Sequence, residues 1–377
     1  MQGLISQAEY AKRLRPYLPA AAFEPDPSKL WLLLLNLLIL GVGWAIGAQL
    51  DSWPRAWLWL YVPVALGMGN SIVVIAFTYH DLMHGSVVRN RKLTYLIALV
   101  SQVILWTPPT LWAINHNRVH HNQTNSLADP DRNYLYDQPN TIGKRVQSLL
   151  VPSSEVAVPW LVVGLASQWV LYAFRNLGSA LLFGGKNQNF APATVPINAQ
   201  KRWRVAQEFG LMVAMHLGVL AWLSFDPLKL LLAYGLPLAI GYGGMIAYIY
   251  TNHLASPMTD VNDPLVNSIS LRMPKFVDVM HLNFSYHAEH HIFPGLNSDY
   301  YPAVQTLLHQ LYPTKTPYVL SPRYAWQLLR STPRLYADAV TLTDWQGQRR
   351  VPCYGCSPVQ GEAAALKMQK AVARGSQ

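Results

Sequence analysis

The chain carries only two cysteines, Cys353 and Cys356, in 377 residues. That excludes a disulfide framework and an iron–sulfur cluster held by four thiolates. The two form a C-Y-G-C stretch that cannot close a tetrahedral metal site alone, so we read them as an incidental pair. Charge is also scarce: 13% of residues are Asp, Glu, Lys or Arg, about half the share usual for soluble domains. No low-complexity linker divides the chain. The first apolar run starts near Leu30 after a polar lead-in, so it reads as a retained membrane helix rather than a secretory leader. Neither an H-P-G-G haem motif nor a flavin or nicotinamide fingerprint is present.

What the chain does have is apolar and aromatic. Hydrophobic residues make up 51%, with 13 Trp and 20 Tyr, residues that favour membrane interfaces. The mean hydropathy of +0.13 is mild, so a sizeable part of the chain is expected outside the bilayer. The net charge of +10 fits excess Lys and Arg on a cytoplasmic side facing anionic lipid. Nucleic-acid binding would need a recognisable binding motif, and none is present. Four runs could each cross a bilayer, which takes about 20 residues: Leu30–Leu50, Ala56–Tyr79, Phe209–Leu223 and Leu230–Tyr250, the third being short and able to start earlier, near Trp203. Leu93–Ile114 contains Pro108-Pro109, and Val158–Phe183 is interrupted by Arg175 and Asn176, costly groups in hydrocarbon. Both read as interfacial helices. With a cytoplasmic N-terminus and four crossings, the segments after Tyr79 and after Tyr250 emerge on the same side. The expected fold is all-α and integral to the membrane: four transmembrane helices in two hairpins, interfacial helices and a cytosolic histidine-rich cap. Residues 1–29 form an N-terminal interfacial segment, 30–322 the membrane domain and 323–377 a tail outside the box framework. Within these, 5–17 is expected as an amphipathic helix on the membrane surface and 361–374 as a short basic helix or a disordered extension.

Nine of the twelve histidines fall in three short windows: His80 and His84; His116, His120 and His121; His281, His287, His290 and His291. His80 and His84 are four apart, which places both imidazoles on one helix face. His116 with His120, and His287 with His291, repeat that spacing. Imidazole suits iron, copper, zinc and nickel, and eight clustered rings are too many for one ion and enough for two. His216, inside the third run, and His309 read as ordinary interface residues.

The contexts HDLMHG, WAINHNRVHHNQTN and NFSYHAEHHIFPGLN resemble the three histidine boxes of membrane fatty-acid desaturases and their hydroxylase relatives. The resemblance covers roughly residues 30 to 320 and includes the spacing between boxes. It implies a di-iron centre held by His80, His84, His116, His120, His121, His287, His290 and His291. It further implies molecular oxygen as co-substrate and two electrons from a partner protein. A further ligand is expected near the end of the fourth membrane helix, where His253 stands, with His281 as the other candidate. Asp81 and Glu289, and Asp129 and Asp131 in the D-P-D after the second box, are candidates to accept from a ligand N–H or to cap a helix, and Asn283 and Asn252 to hold a water near an iron.

The resemblance implies fatty-acyl desaturation. The substrate would be an acyl-lipid, acyl-CoA or acyl-carrier chain in an apolar tunnel, walled by the helices after box one and before the third run. An alkyl C–H bond has no acidity a side chain could use, so the metal centre must supply the oxidant. An external ferredoxin or cytochrome-type donor is expected, drawn to a basic cytosolic face. The membrane would be a bacterial inner or thylakoid-type one, with the site on its cytoplasmic side. The alternatives are a lipid or carotenoid hydroxylase or ketolase of the same superfamily and, more distantly, a histidine-rich metal transporter. The transporter needs ligands inside the crossing helices, where only His216 is found.

Overall fold

A computed structural model describes residues 3–186, 195–313, 315 and 318–354. Cys356 and the expected basic helix at 361–374 lie outside the described residues. Four helices are long and apolar enough to cross a membrane: Lys29–Gly47, Arg55–Met83, Ala199–Trp222 and Pro227–Asn252. Each covers one expected run. The second continues past Tyr79 and carries His80 and Asp81 on its last turn. The third begins well before Phe209, where the Asn198 side chain accepts from the Lys201 amide at 2.9 Å and caps it.

The second helix is the hub, with residues 71–82 all buried. The first helix, in contrast, turns Trp31, Leu34, Leu35, Leu38 and Val42 outward, as a lipid-facing surface requires. The first and fourth helices both pack on the second. Two glycines let the second and fourth approach closely. A Cβ on Gly69 would lie 2.4 Å from Ile240 Cγ2, and one on Gly241 would lie 2.6 Å from Ile72 Cβ.

The two ambiguous runs form helices that shape the cap. Arg91–Leu105 and Pro109–His120 are separate and meet at 96°. Trp106 turns the chain with φ 57, and the ring of Pro109 starts the next helix, where a missing N–H costs nothing. Residues Ala113–His120 wind as a π-helix, and the His121 amide donates to the His116 carbonyl at 3.1 Å. Val158–Phe183 is one unbroken helix packed on the fourth spanning helix. Its polar interruption is explained by burial, since Asn176 is only 6% exposed and Arg175 lines an internal cavity.

Two expectations change. The N-terminal helix, Gln7–Leu14, buries Tyr10 and Leu14 completely. Its apolar side packs on the His287–Ile292 and Tyr301–Leu311 helices rather than on a membrane surface. The stretch after Pro322, expected to stand apart from the boxes, packs on them. Strands Leu335–Asp338, Thr341–Thr343 and Arg350–Pro352 form an antiparallel sheet. From that segment Tyr336 donates to the Ser256 carbonyl at 2.7 Å, and Arg334 is 3% exposed on the cavity wall. Its apolar residues, Leu335, Tyr336 and Leu342, could be buried only by continuing the core.

Candidate metal centre

The three boxes and His253 meet at one end of the helical bundle, where the second and fourth spanning helices both finish. Nine rings form two groups: His80, His84, His116, His121 and His290; and His120, His253, His287 and His291. Within each group one ring nitrogen per residue lies within 4.8 Å of the others.

Local helix geometry decides which histidine joins which group. His80 and His84 are four apart and fall together, as do His287 and His291 on the α-helix His287–Ile292. The middle box does not follow the α spacing. In its π-helix the fifth residue, not the fourth, returns to the same face. His116 therefore aligns with His121, and the expected His116–His120 pair is split between the groups.

The nitrogen contacts fit metal ligation better than hydrogen bonding. His287 Nε2 lies 2.9 Å from His253 Nε2 and 3.0 Å from His291 Nε2. His121 Nε2 lies 3.2 Å from both His116 Nε2 and His290 Nε2. A ring nitrogen offers either one N–H or one lone pair, so it cannot bond two such neighbours at once. Nitrogens bound at about 2.1 Å and at right angles around one ion would stand about 3.0 Å apart. The buried His80 nitrogens and His84 Nε2 also have no hydrogen-bond partner among the described residues.

Several rings are oriented from behind through Nδ1, the arrangement that turns Nε2 toward a metal. His116 Nδ1 meets Asp131 Oδ2 at 3.1 Å, and His120 Nδ1 meets Asp129 Oδ1 at 3.0 Å. His253 Nδ1 donates to the Asn267 carbonyl at 2.8 Å. His290 Nδ1 lies 2.9 Å from the Tyr301 hydroxyl, and His291 Nδ1 lies 3.3 Å from the Thr124 hydroxyl. Burial, reinforced by neighbouring rings, holds His84, His116, His121, His287, His290 and His291 well below the usual histidine range. His253 is pushed down to about 3. Burial would lower His120 too, but the Asp129 carboxylate outweighs it and raises the ring. Burial also pushes Asp131 up to about 6. Neutral rings are the form that binds a metal.

The family described as Fatty acid desaturase matches residues 56–322, well over half of the sequence. The chain belongs to the fatty acid desaturase family. A relative from Nostoc sp. (strain 36), named sn-1 acyl-lipid omega-3 desaturase (ferredoxin), is 24% identical over 215 residues. The alignment covers 56% of this chain and 54% of that protein, so the chain spans about half the length of its relative.

The other singled-out residues of this desaturase-family chain stand outside the two ring groups. His281 stays outside both groups, 3.0 Å from the Tyr248 hydroxyl and 3.1 Å from Asn70 Oδ1. His216 lies 2.7 Å from the Tyr234 hydroxyl and stacks on Trp106, and His309 is exposed. Among the candidate supporting residues, Glu289 accepts from Ser270 at 2.6 Å and Gln305 at 2.7 Å, and touches no ring of the groups through its carboxylate. Asn283 donates to the Ser298 carbonyl at 3.1 Å. Asp81 is committed to Lys29 at 3.1 Å and Ser298 at 2.9 Å, with His80 Nδ1 farther off at 3.5 Å. Asn252 is fully buried with no hydrogen-bond partner for its side-chain amide among the described residues. The residues that do meet the rings are Asp129, Asp131, Thr124, Tyr301 and the Asn267 carbonyl. The D-P-D after the second box was the only sequence signal among them.

A cavity of about 110 Å³ reaches both groups. It touches His80 and His116 of one group and His120, His253 and His287 of the other. Phe77, Leu105, Met245, Ile246 and Phe284 make much of its wall apolar. The helices after box one and before the third spanning helix contribute, as expected of the tunnel, through Gln102, Leu105, Trp169 and Tyr172. The wall differs from an apolar tunnel in carrying Asp131, Arg132, Arg175 and Arg334.

Proposed function

We propose that this protein is a membrane fatty-acyl desaturase. It takes one hydrogen from each of two adjacent carbons of a long acyl chain and leaves a C=C bond. Molecular oxygen, two protons and two electrons from an external carrier complete the balance, with two waters as the other product. The observation that carries this reading is a partly apolar cavity that touches both histidine groups. A chain lying there has its methylenes beside both groups at once.

Two iron ions, one per group, would be held by the nine histidines and supply the oxidising power that a C–H bond demands; zinc has no redox chemistry to offer. The protein's own part is positional. Asp129, Asp131, Asn267, Thr124 and Tyr301 fix the rings through Nδ1, and burial favours the neutral form of His116, His253, His290 and His291. Phe77, Phe284 and the fourth spanning helix hold the chain and exclude water. The Nostoc relative is named for an acyl-lipid substrate and ferredoxin, and we extend both classes to this chain. The four apolar helices would lie in a bacterial inner or thylakoid-type membrane, with both histidine groups on the cytoplasmic side.

The test is gas chromatography–mass spectrometry of total acyl chains. The host would lack its own desaturases and co-express a ferredoxin and its reductase, with His120→Ala as control. A new unsaturated chain absent from the control is expected. A hydroxylated product instead would make the protein a hydroxylase.

A further inference from the structure

The cavity wall carries three guanidiniums, Arg132, Arg175 and Arg334, against one carboxylate, Asp131. A substrate that was only hydrocarbon there would leave that positive excess unused. Two of the three guanidiniums are committed to the protein. Arg132 donates to the Ser126 and Tyr134 carbonyls at 2.7 and 2.9 Å. Arg334 donates to the Pro152 carbonyl at 3.0 Å and to the Tyr250 hydroxyl. The carboxylate is committed as well: Asp131 accepts from Tyr172 at 2.9 Å and meets His116 at 3.1 Å. Arg175 has no hydrogen-bond partner among the described residues and its Nε is sealed from solvent; Asp131 and Tyr172 act on its charge only through space.

Arg175 shares a helix face with Gln168, Trp169 and Tyr172 through their three- and four-residue spacing, and all four line the cavity. The amide oxygens of Gln168 and of Gln147, on the same wall, are also buried and unpartnered. Buried polar groups are normally satisfied by protein, ligand or water, and an unpaired buried charge is the most costly case. Burial lowers Arg175 to about 10, so it stays cationic at neutral pH. A planar guanidinium matches the oxygens of a carboxyl-derived group.

We propose that Arg175 binds the oxygen-bearing head of the acyl substrate inside this cavity, a free carboxylate or an ester carbonyl, so that the oxidised carbons are counted from the head. This rests on the acyl-chain reading above and adds to it which end of the chain is held.

The test is binding, without turnover. Equilibrium dialysis of the purified, metal-loaded full chain in detergent would compare a radiolabelled C18 acid, its methyl ester and a C18 alkene. The proteins are wild type, Arg175→Met and Arg175→Lys, with metal content and melting temperature as fold controls. Wild type should hold the acid or the ester at least about tenfold more tightly than the alkene, the scale of one charge-assisted hydrogen bond. Arg175→Met should erase that preference and leave alkene binding unchanged, while Arg175→Lys keeps part of it. Loss for the acid alone identifies a carboxylate; loss for both identifies the carbonyl. No preference in wild type overturns the proposal, and that comparison needs no variant to fold. Equal weakening of acid and alkene by Arg175→Met also overturns it. A protein that forms no C=C bond in cells would fail the desaturase reading and leave this measurement readable.

Discussion

The two histidine groups sit side by side and are built differently. One gathers five rings, with His84 and His116 partly exposed; the other gathers four, all buried. In the smaller group three of four rings are fixed through Nδ1, by Asp129, the Asn267 carbonyl and Thr124. In the larger group Asp131 and Tyr301 fix two of five, and among the described residues the Nδ1 atoms of His80 and His121 have no hydrogen-bond partner. Ligand number compensates for orientation on one side, and orientation for number on the other. If both hold a metal, removing a ligand should be felt unequally.

The largest effect is expected from ligand deletion. His253→Ala leaves three rings in its group, so bound metal should fall from about two ions per chain to about one. His84→Ala leaves four rings and should retain more. Metal analysis of the two purified variants decides it, and equal losses would break the comparison. Next comes Asp129→Asn. Loss of the carboxylate behind His120 should weaken metal retention by about 10–100-fold, the usual scale for such partners. Asp131→Asn, behind a five-ring group, should cost less; competition against a chelator ranks the two.

Acid should separate the rings by sign. A histidine lowered in the folded state takes its proton first in the unfolded chain. Its contribution to stability is therefore present above the ordinary value of 6.5 and is lost as pH falls toward its folded value, about 3 for His253. The metal-free protein should then melt progressively lower below pH 6.5. His120, raised by Asp129, opposes that trend, so Asp129→Asn should steepen the fall. Thermal melts across pH check both. The smallest effect is expected at Glu289, which sits between two histidine positions in sequence yet bonds Ser270 and Gln305. Glu289→Gln should leave metal affinity within about threefold, and a larger drop would bring the carboxylate back into the site.

The sequence made the four long helices and the eight box histidines legible, because apolar length and four-residue spacing are local properties. His253 was placed by resemblance and His281 stood as its rival; the chain path after the fourth spanning helix brings only His253 to the group. Glu289, like Asp81, was singled out by adjacency along the chain, yet adjacent residues on a helix point apart, and Asn283 stands in the turn between two short helices, where it bonds the Ser298 carbonyl. Thr124 and Tyr301 had no local signal, since each meets its histidine across a tertiary contact.

What the sequence alone determined is a helical chain with several crossing helices and enough imidazole for two ions. Those follow from hydropathy and from donor atoms, which any conformation of the chain carries. Only the tertiary structure decided the rest. The π turn at Ala113–His120 assigned His121 rather than His120 to the His116 group. The 323–354 segment supplied Arg334 to the cavity wall. Val158–Phe183 turned Arg175 inward with no hydrogen-bond partner among the described residues. Each depends on which residues pack against one another from distant parts of the chain, and spacing along a sequence carries no record of that.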